Sequence, residues 1–168
     1  INGVTAVEAT FFRTAFIGVV LAIMAVLRNK RYAIPRKALP SFAGQAVATL
    51  FVSVGYLASV QFIPVGLAAI IFFTFPVIIM LVAPVVEGHS PGFARITIAI
   101  FAFAGLAISI GPNVESLDIR GIALAAAAAV FCALQFFSGR AISTFVAPEV
   151  FGSLVHLAIL PATLVIAV

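Results

Sequence analysis

Residues 38–86 read ALPSFAGQAVATLFVSVGYLASVQFIPVGLAAIIFFTFPVIIMLVAPVV and contain no charged side chain. One α-helix of that length would extend about 70 Å, more than twice the ~30 Å of hydrocarbon in a bilayer. The stretch must therefore fold back once. Ile63-Pro64 is the predicted turn, because a proline disfavours helix in the residue before it and is tolerated where a helix begins. This predicts two membrane-spanning helices, at residues 41–62 and 64–86.

The rest of the chain has the same character. Of its 168 residues, 64% are hydrophobic and 8% are charged, whereas a soluble domain is about half apolar and about a quarter charged. Such a chain would have a largely apolar surface, which is favourable in contact with lipid tails and unfavourable in contact with water. The basic residues lie beside apolar segments, so the net charge of +4 indicates membrane orientation and not a nucleic-acid-binding surface.

Four further apolar segments are predicted to cross the membrane, at residues 7–27, 94–111, 121–138 and 149–168. Gly111-Pro112-Asn113 is a strong signal for the end of one of them. Pro76 and Pro84 fall inside the predicted span 64–86 and are expected to kink it. With six spans, the sequence predicts an all-α, polytopic transmembrane helix bundle.

Lysine and arginine residues predict the orientation of this bundle. Seven of the nine follow the first, third or fifth span, which places them on one side: Arg28, Lys30, Arg31, Arg36, Lys37, Arg95 and Arg140. The opposite side has Arg120, beside Glu115 and Asp118. The positive-inside rule therefore places the first set of loops in the cytoplasm, in a multi-pass protein of the cell membrane. His89 and Ser90 are expected to be solvated in one of these loops.

The central turn lies within a recognisable pattern. Residues 55–77 read GYLASVQFIPVGLAAIIFFTFPV, with a Gly-Tyr start, an aromatic-x-Pro turn, a run of small residues and Thr-x-Pro. This segment resembles the EamA repeat of the drug/metabolite transporter superfamily. Glu87, Gly105 and Phe11-Phe-Arg-Thr-Ala15 fit further positions of the family pattern, while Gly88 stands where the pattern has a basic residue.

The resemblance implies ten helices, built from two five-helix repeats of inverted topology. Residues 1–112 would form the first repeat without its first helix, residues 113–120 an external loop, and residues 121–168 the truncated start of the second repeat. One internal similarity agrees, because Ala-Val-Glu at 6–8 and Ala-Pro-Glu at 147–149 both precede long apolar runs. The chain is thus expected to be a fragment, with one helix missing before it and about three after it.

Polar side chains within the apolar segments are candidates for lining a substrate cavity. Six are singled out: Arg13, Tyr56, Gln61, Thr74, Gln135 and His156. A structural role is the alternative for each, because buried polar groups in lipid form interhelical hydrogen bonds and an arginine near a helix end can reach the interface. Gln45 is a further buried amide, and His156 is also a candidate proton carrier.

Enzymatic motifs are missing from the sequence: there is no His-Glu-x-x-His, no Gly-x-Ser-x-Gly and no glycine-rich phosphate loop. Two distant histidines and Cys132 do not suggest a metal site, so neither a metal nor a cofactor is expected. Cys132 is read as a small buried hydrophobic residue.

The resemblance implies a secondary transporter or permease that exports or imports small metabolites or drugs by alternating access. An ion gradient, such as a proton gradient, or exchange would supply the energy. The expected partners are a small-molecule substrate, the lipid bilayer and a coupling ion. Two alternatives stay open, a non-transporting membrane scaffold or receptor and a membrane-embedded enzyme.

Overall fold

The computed structural model describes residues 6–88, 92–110 and 117–167. These residues form seven α-helices: α1 (Ala6–Leu27), α2 (Leu39–Ser59), α3 (Val65–Phe72), α4 (Phe75–Glu87), α5 (Phe93–Ile110), α6 (Ile119–Ser143) and α7 (Pro148–Ala167). A short 3-10 helix, Arg36–Ala38, precedes α2. The predicted all-α bundle is therefore confirmed. His89, Ser90 and Gly111-Pro112-Asn113 lie outside the described residues.

Within the described part of the chain, five segments are long and apolar enough to cross a membrane: Glu8–Leu27, Arg36–Ser59, Val65–Val86, Ile119–Ser143 and Pro148–Val165. Helices α3 and α4 together make up the third of them. Helix α5 contributes a shorter apolar stretch, Ile96–Ser109. Its 18 residues extend about 27 Å, slightly less than the ~30 Å of a typical hydrocarbon core.

The chain turns at Ile63-Pro64, as predicted, but the span predicted at 64–86 is two helices. Helix α3 ends at Phe72, and α4 begins at Phe75 with Pro76 in its first turn. Proline lacks an amide hydrogen and its ring collides with the preceding turn, so the helix is interrupted before Pro76. Pro76 therefore begins a helix and does not bend one, whereas Pro84 lies inside α4.

Two other boundaries differ from the prediction for a physical reason. Helix α2 begins at Leu39, with a proline in its first turn, and ends at Ser59. Helix α6 continues past Arg140 to Ser143, although the sequence predicted its end at residue 138. A positive charge is favourable in the last turn of a helix, and a long arginine side chain can reach the interface, so Arg140 does not end the helix.

Two antiparallel helix pairs make up most of the interior, α1 with α7 and α2 with α6. Glycines lie at their closest approaches. A Cβ atom added at Gly44 would be 3.0 Å from the Ser138 Oγ, and one at Gly55 would be 3.5 Å from the Leu124 carbonyl oxygen. Such small residues let backbones approach closely in lipid. Gly105 on α5 is different, since an added Cβ would have nothing within 4 Å.

The two ends of the bundle differ in charge. At the basic end, defined by the cations between α1 and α2, a buried apolar cluster joins α1, α6 and α7: Ala25, Ala38, Ile142, Val146 and Val150. Arg28 forms a salt bridge with Glu149 beside this cluster. At the other end, Asp118 caps α6 by accepting a hydrogen bond from the Arg120 amide.

Candidate substrate cavity

A polar cavity of about 180 Å³ lies between α1, α2, α6 and α7. Its lining consists of Arg13, Thr14, Ile17, Thr49, Val52, Ser53, Gln135 and His156. Ile17, Thr49 and His156 lie near the middle of α1, α2 and α7 respectively. The cavity is therefore close to mid-depth of the spanning helices, where polar groups are most costly in contact with lipid.

Two hydrogen bonds between helices join side chains that line the cavity. The Arg13 Nη2 donates to the Ser53 Oγ over 2.6 Å, which joins α1 to α2. The Gln135 Nε2 donates to the Thr49 Oγ1 over 3.1 Å, which joins α6 to α2. The Thr49 hydroxyl gives its own hydrogen to the Gln45 carbonyl, 2.7 Å away, so its oxygen is free to act as the acceptor. The polar groups are thus held in a defined arrangement.

His156 is oriented by the backbone of its own helix. Its Nδ1 lies 2.8 Å from the Gly152 carbonyl oxygen. A carbonyl oxygen only accepts, so Nδ1 carries the hydrogen and, in the neutral ring, Nε2 is an acceptor. Gly18 of α1 makes room for this residue, because a Cβ there would be 3.3 Å from the His156 Cβ. In the neutral ring, the Nε2 can therefore accept a hydrogen bond from a solute or bind a proton.

Gln45 lies one helical turn from Thr49, on the side toward the basic end. Its Oε1 is buried and, within the described residues, has no hydrogen-bond partner. Gly139 of α6 lies against this amide, since an added Cβ would be 3.3 Å from the Oε1. The amide is thus packed between α2 and α6, next to the polar cavity.

Three of the six predicted site residues share this cavity, namely Arg13, Gln135 and His156. The other three lie elsewhere. The Tyr56 ring packs on Phe72, with ring centroids 5.0 Å apart, beside the apolar cluster that contains Ile63. Gln61 is exposed in the turn between α2 and α3. Thr74, between α3 and α4, donates its hydroxyl hydrogen to the Ile71 carbonyl over 2.7 Å.

Thr14, Thr49 and Ser53 also line the cavity and are not among the six predicted site residues. A signal for two of them is present in the sequence. Gln45, Thr49 and Ser53 are spaced four apart, which places them in one row on the face of an otherwise apolar helix. Thr14 follows Arg13 directly and has no comparable signal. This polar row on an apolar helix indicates the α2 side of the cavity.

The lining offers hydrogen-bond donors and acceptors and one permanent cation, Arg13, and it contains no carboxylate. No cluster of metal-ligating side chains occurs among the described residues. Toward the basic end, α1 and α7 are held together by the Arg28–Glu149 salt bridge and by the apolar packing of Ala25 and Val150. The arrangement is suited to holding a small polar solute between the helices.

Comparisons with known proteins identify the family. The family model of the EamA-like transporter family matches residues 1–111, more than half of the 168 residues. No curated protein matches the chain, and no solved structure matches it either. The resemblance recognised around residues 55–77 is thereby confirmed. The chain is a multi-pass membrane protein and belongs to the EamA-like transporter family of the drug/metabolite transporter superfamily.

Proposed function

We propose that this protein is a secondary transporter that exports or imports small metabolites or drugs through the polar cavity between α1, α2, α6 and α7. One observation carries the proposal, namely that polar and charged side chains of four helices meet near the middle of the spanning helices. Such groups are expensive in lipid and occur mainly where they face a water-filled cavity or a solute. Binding sites of secondary transporters characteristically lie near the midplane.

We further propose that α1 and α7 are equivalent helices of two inverted repeats, residues 1–112 and 121–168, with an external loop at 113–120. The Glu8 and Glu149 segments align in sequence. Helices α1 and α7 are antiparallel, with Gly18 facing His156 and Gly152 facing Leu21. Two helices related by an axis in the membrane plane must be antiparallel. Their contact near the middle of both helices supports this assignment.

Alternating access then requires α1 and α7 to separate at the basic end, which we place in the cytoplasm of a cell-membrane protein. The Arg28–Glu149 salt bridge would break in that step. Glu149 is 8% exposed, so leaving it unpaired is unfavourable until water enters. Exchange or an ion gradient would supply the energy. His156 is the candidate for a coupled proton, because its imidazole ring lines the cavity.

The test measures uptake into proteoliposomes with and without a pH gradient, using a panel of amino acids, other metabolites and drugs. Thr49→Val and Ser53→Ala remove lining hydroxyls. Thr97→Val on α5 is the matched control, because its hydroxyl also donates within its own helix, to the Phe93 carbonyl, but does not line the cavity. The lining variants should lower the uptake of a transported compound several-fold, and the control should not.

Two outcomes would contradict the proposal. Uptake that never exceeds that of protein-free vesicles, from correctly folded protein, would favour a scaffold or receptor. Uptake unaffected by either lining variant would move the route away from this cavity. Tyr56, Gln61 and Thr74 stay predicted cavity residues. Their alanine variants should be tested in the same uptake assay. Unchanged uptake would show that these residues are not part of the site.

A further inference from the structure

The loop after α1 has a backbone held by specific hydrogen bonds. The Lys30 amide donates to the Ala25 carbonyl over 3.0 Å, and the Asn29 amide donates to the Val26 carbonyl over 2.9 Å. Asn29 has a φ of 50°, which completes the Schellman motif that often ends a helix. The Tyr32 hydroxyl then donates to the Ala22 carbonyl over 3.0 Å. Lys30 and Arg31 are therefore presented from a defined loop.

These two cations form one wall of a surface pocket of about 420 Å³ at the basic end. Its remaining walls are apolar: Ala33, Pro35, Phe145, Val146 and Ala147. The pocket thus lies between the loop that follows α1 and the loop that precedes α7. Phe145 is 54% exposed, so an aromatic face is available beside the two charges. Basic pockets between membrane helices suit anionic lipid headgroups.

The positive charge of the pocket is only partly neutralised, because the charge of Lys30 acts on the nearby Glu149 carboxylate. No acidic residue lines it, and neither Lys30 nor Arg31 has a salt bridge within the described part of the chain. Glu149 follows the pocket by two residues, but it is buried and paired with Arg28. Arg36 and Lys37 lie in the same loop and do not line the pocket.

We propose that this pocket binds the phosphate headgroup of an anionic phospholipid. Lys30 and Arg31 contact the phosphate, while the exposed Phe145 ring packs against the glycerol and the first methylene groups of the acyl chains. The lipid thereby bridges the two loops and links the ends of α1 and α7. The site is separate from the polar cavity, so the proposal does not depend on transport.

The test compares binding of phosphatidylglycerol and phosphatidylcholine to the full chain, purified in detergent, by native mass spectrometry and by the lipid-induced shift in melting temperature. The Lys30→Gln/Arg31→Gln double variant should bind phosphatidylglycerol about 25-fold more weakly, about fivefold for each basic residue near an anionic headgroup. Arg36→Gln/Lys37→Gln loses the same charge from the same loop and should keep its affinity within about twofold. Phosphatidylcholine should bind weakly to all three proteins.

Additional variants and a competition experiment distinguish lipid binding from binding of a free anion, and they control for misfolding. The charge-conserving Lys30→Arg/Arg31→Lys variant should retain phosphatidylglycerol binding, and Phe145→Ala should weaken it. Inorganic phosphate should not compete at concentrations comparable to the lipid. Equal losses in the two glutamine double variants, equal binding of the two lipids, or effective competition by phosphate would each overturn the proposal.

Discussion

Gly121 lies where α6 meets the turn between α2 and α3. A Cβ atom there would be 2.8 Å from the Ile63 Cγ2 and 2.9 Å from the Phe62 Cβ. Gly121→Ala should therefore lower the free energy of unfolding by roughly 1–3 kcal/mol, the usual effect of overpacking. Gly105→Ala is the matched control, because it meets open space and gains helix propensity, up to ~1 kcal/mol. Denaturation in detergent micelles distinguishes them, and equal losses would contradict the packing at Gly121.

A variant of Gln135 can distinguish a role in transport from a role in helix packing. Gln135→Leu removes the hydrogen bond to Thr49, and interhelical hydrogen bonds in membranes contribute only about 0.6 kcal/mol on average. We therefore expect a small change in stability together with a several-fold loss of uptake, since the side chain lines the cavity. Parallel measurements of unfolding and uptake check this. A large loss of stability with uptake retained by the folded fraction would assign Gln135 to packing.

Asp118 gives a pH-dependent contribution to stability. The guanidinium of Arg120 and then its backbone amide, both donating to this carboxylate, hold the pKa of Asp118 below its ordinary value. A lowered folded-state pKa means that the stabilisation is present above about pH 4 and is lost as the pH falls through the folded-state value. The difference in melting temperature between wild type and Asp118→Ala should therefore be constant near neutral pH and shrink in acid. A difference that grows in acid would contradict the assignment.

At the scale of helices, the Arg28–Glu149 salt bridge joins α1 to α7. Substitutions of its two members should lower the stability by different amounts. The Arg28 side chain is 59% exposed and that of Glu149 is 11% exposed. Arg28→Gln leaves a buried carboxylate without its partner, whereas Glu149→Gln leaves a cation that water can solvate. Arg28→Gln should therefore destabilise the protein more than Glu149→Gln does. The double variant should recover part of the loss in a thermodynamic cycle, and the reverse order would place the cost elsewhere.

At the scale of the whole molecule, the charge pattern predicts opposite exposure of two loops. In a Cys132→Ala background, Lys30→Cys should be protected from a membrane-impermeant maleimide in intact cells, and Leu117→Cys should be labelled. Both residues are exposed in the structure, so protection would come from the membrane and not from the fold. Permeabilised cells, in which both should react, are the control. The opposite labelling pattern would invert the proposed orientation.

The family-like segment shows why part of the candidate site could not be predicted from sequence. Its pattern identified the family, yet Tyr56 packs on Phe72 from the end of α2 and Thr74 lies at the break between α3 and α4. Arg13 and Ser53 are 40 residues apart, and Thr49 and Gln135 are 86 apart. The two members of each pair lie on different helices, and nothing local to one helix specifies the partner that it faces.

By itself, the sequence determined that the protein is helical, crosses the membrane several times and belongs to a transporter family. The helices and the membrane crossings follow from local hydropathy and charge, because the bilayer requires every backbone polar group to be paired within a helix. The family follows from the pattern of residues 55–77 and from the matching family model. Only the tertiary structure decided the pairing of α1 with α7 and of α2 with α6, the break before Pro76 and the polar cavity. Lipid is as apolar as a helix surface, so hydrophobicity does not select the inward face, and close packing at small residues does.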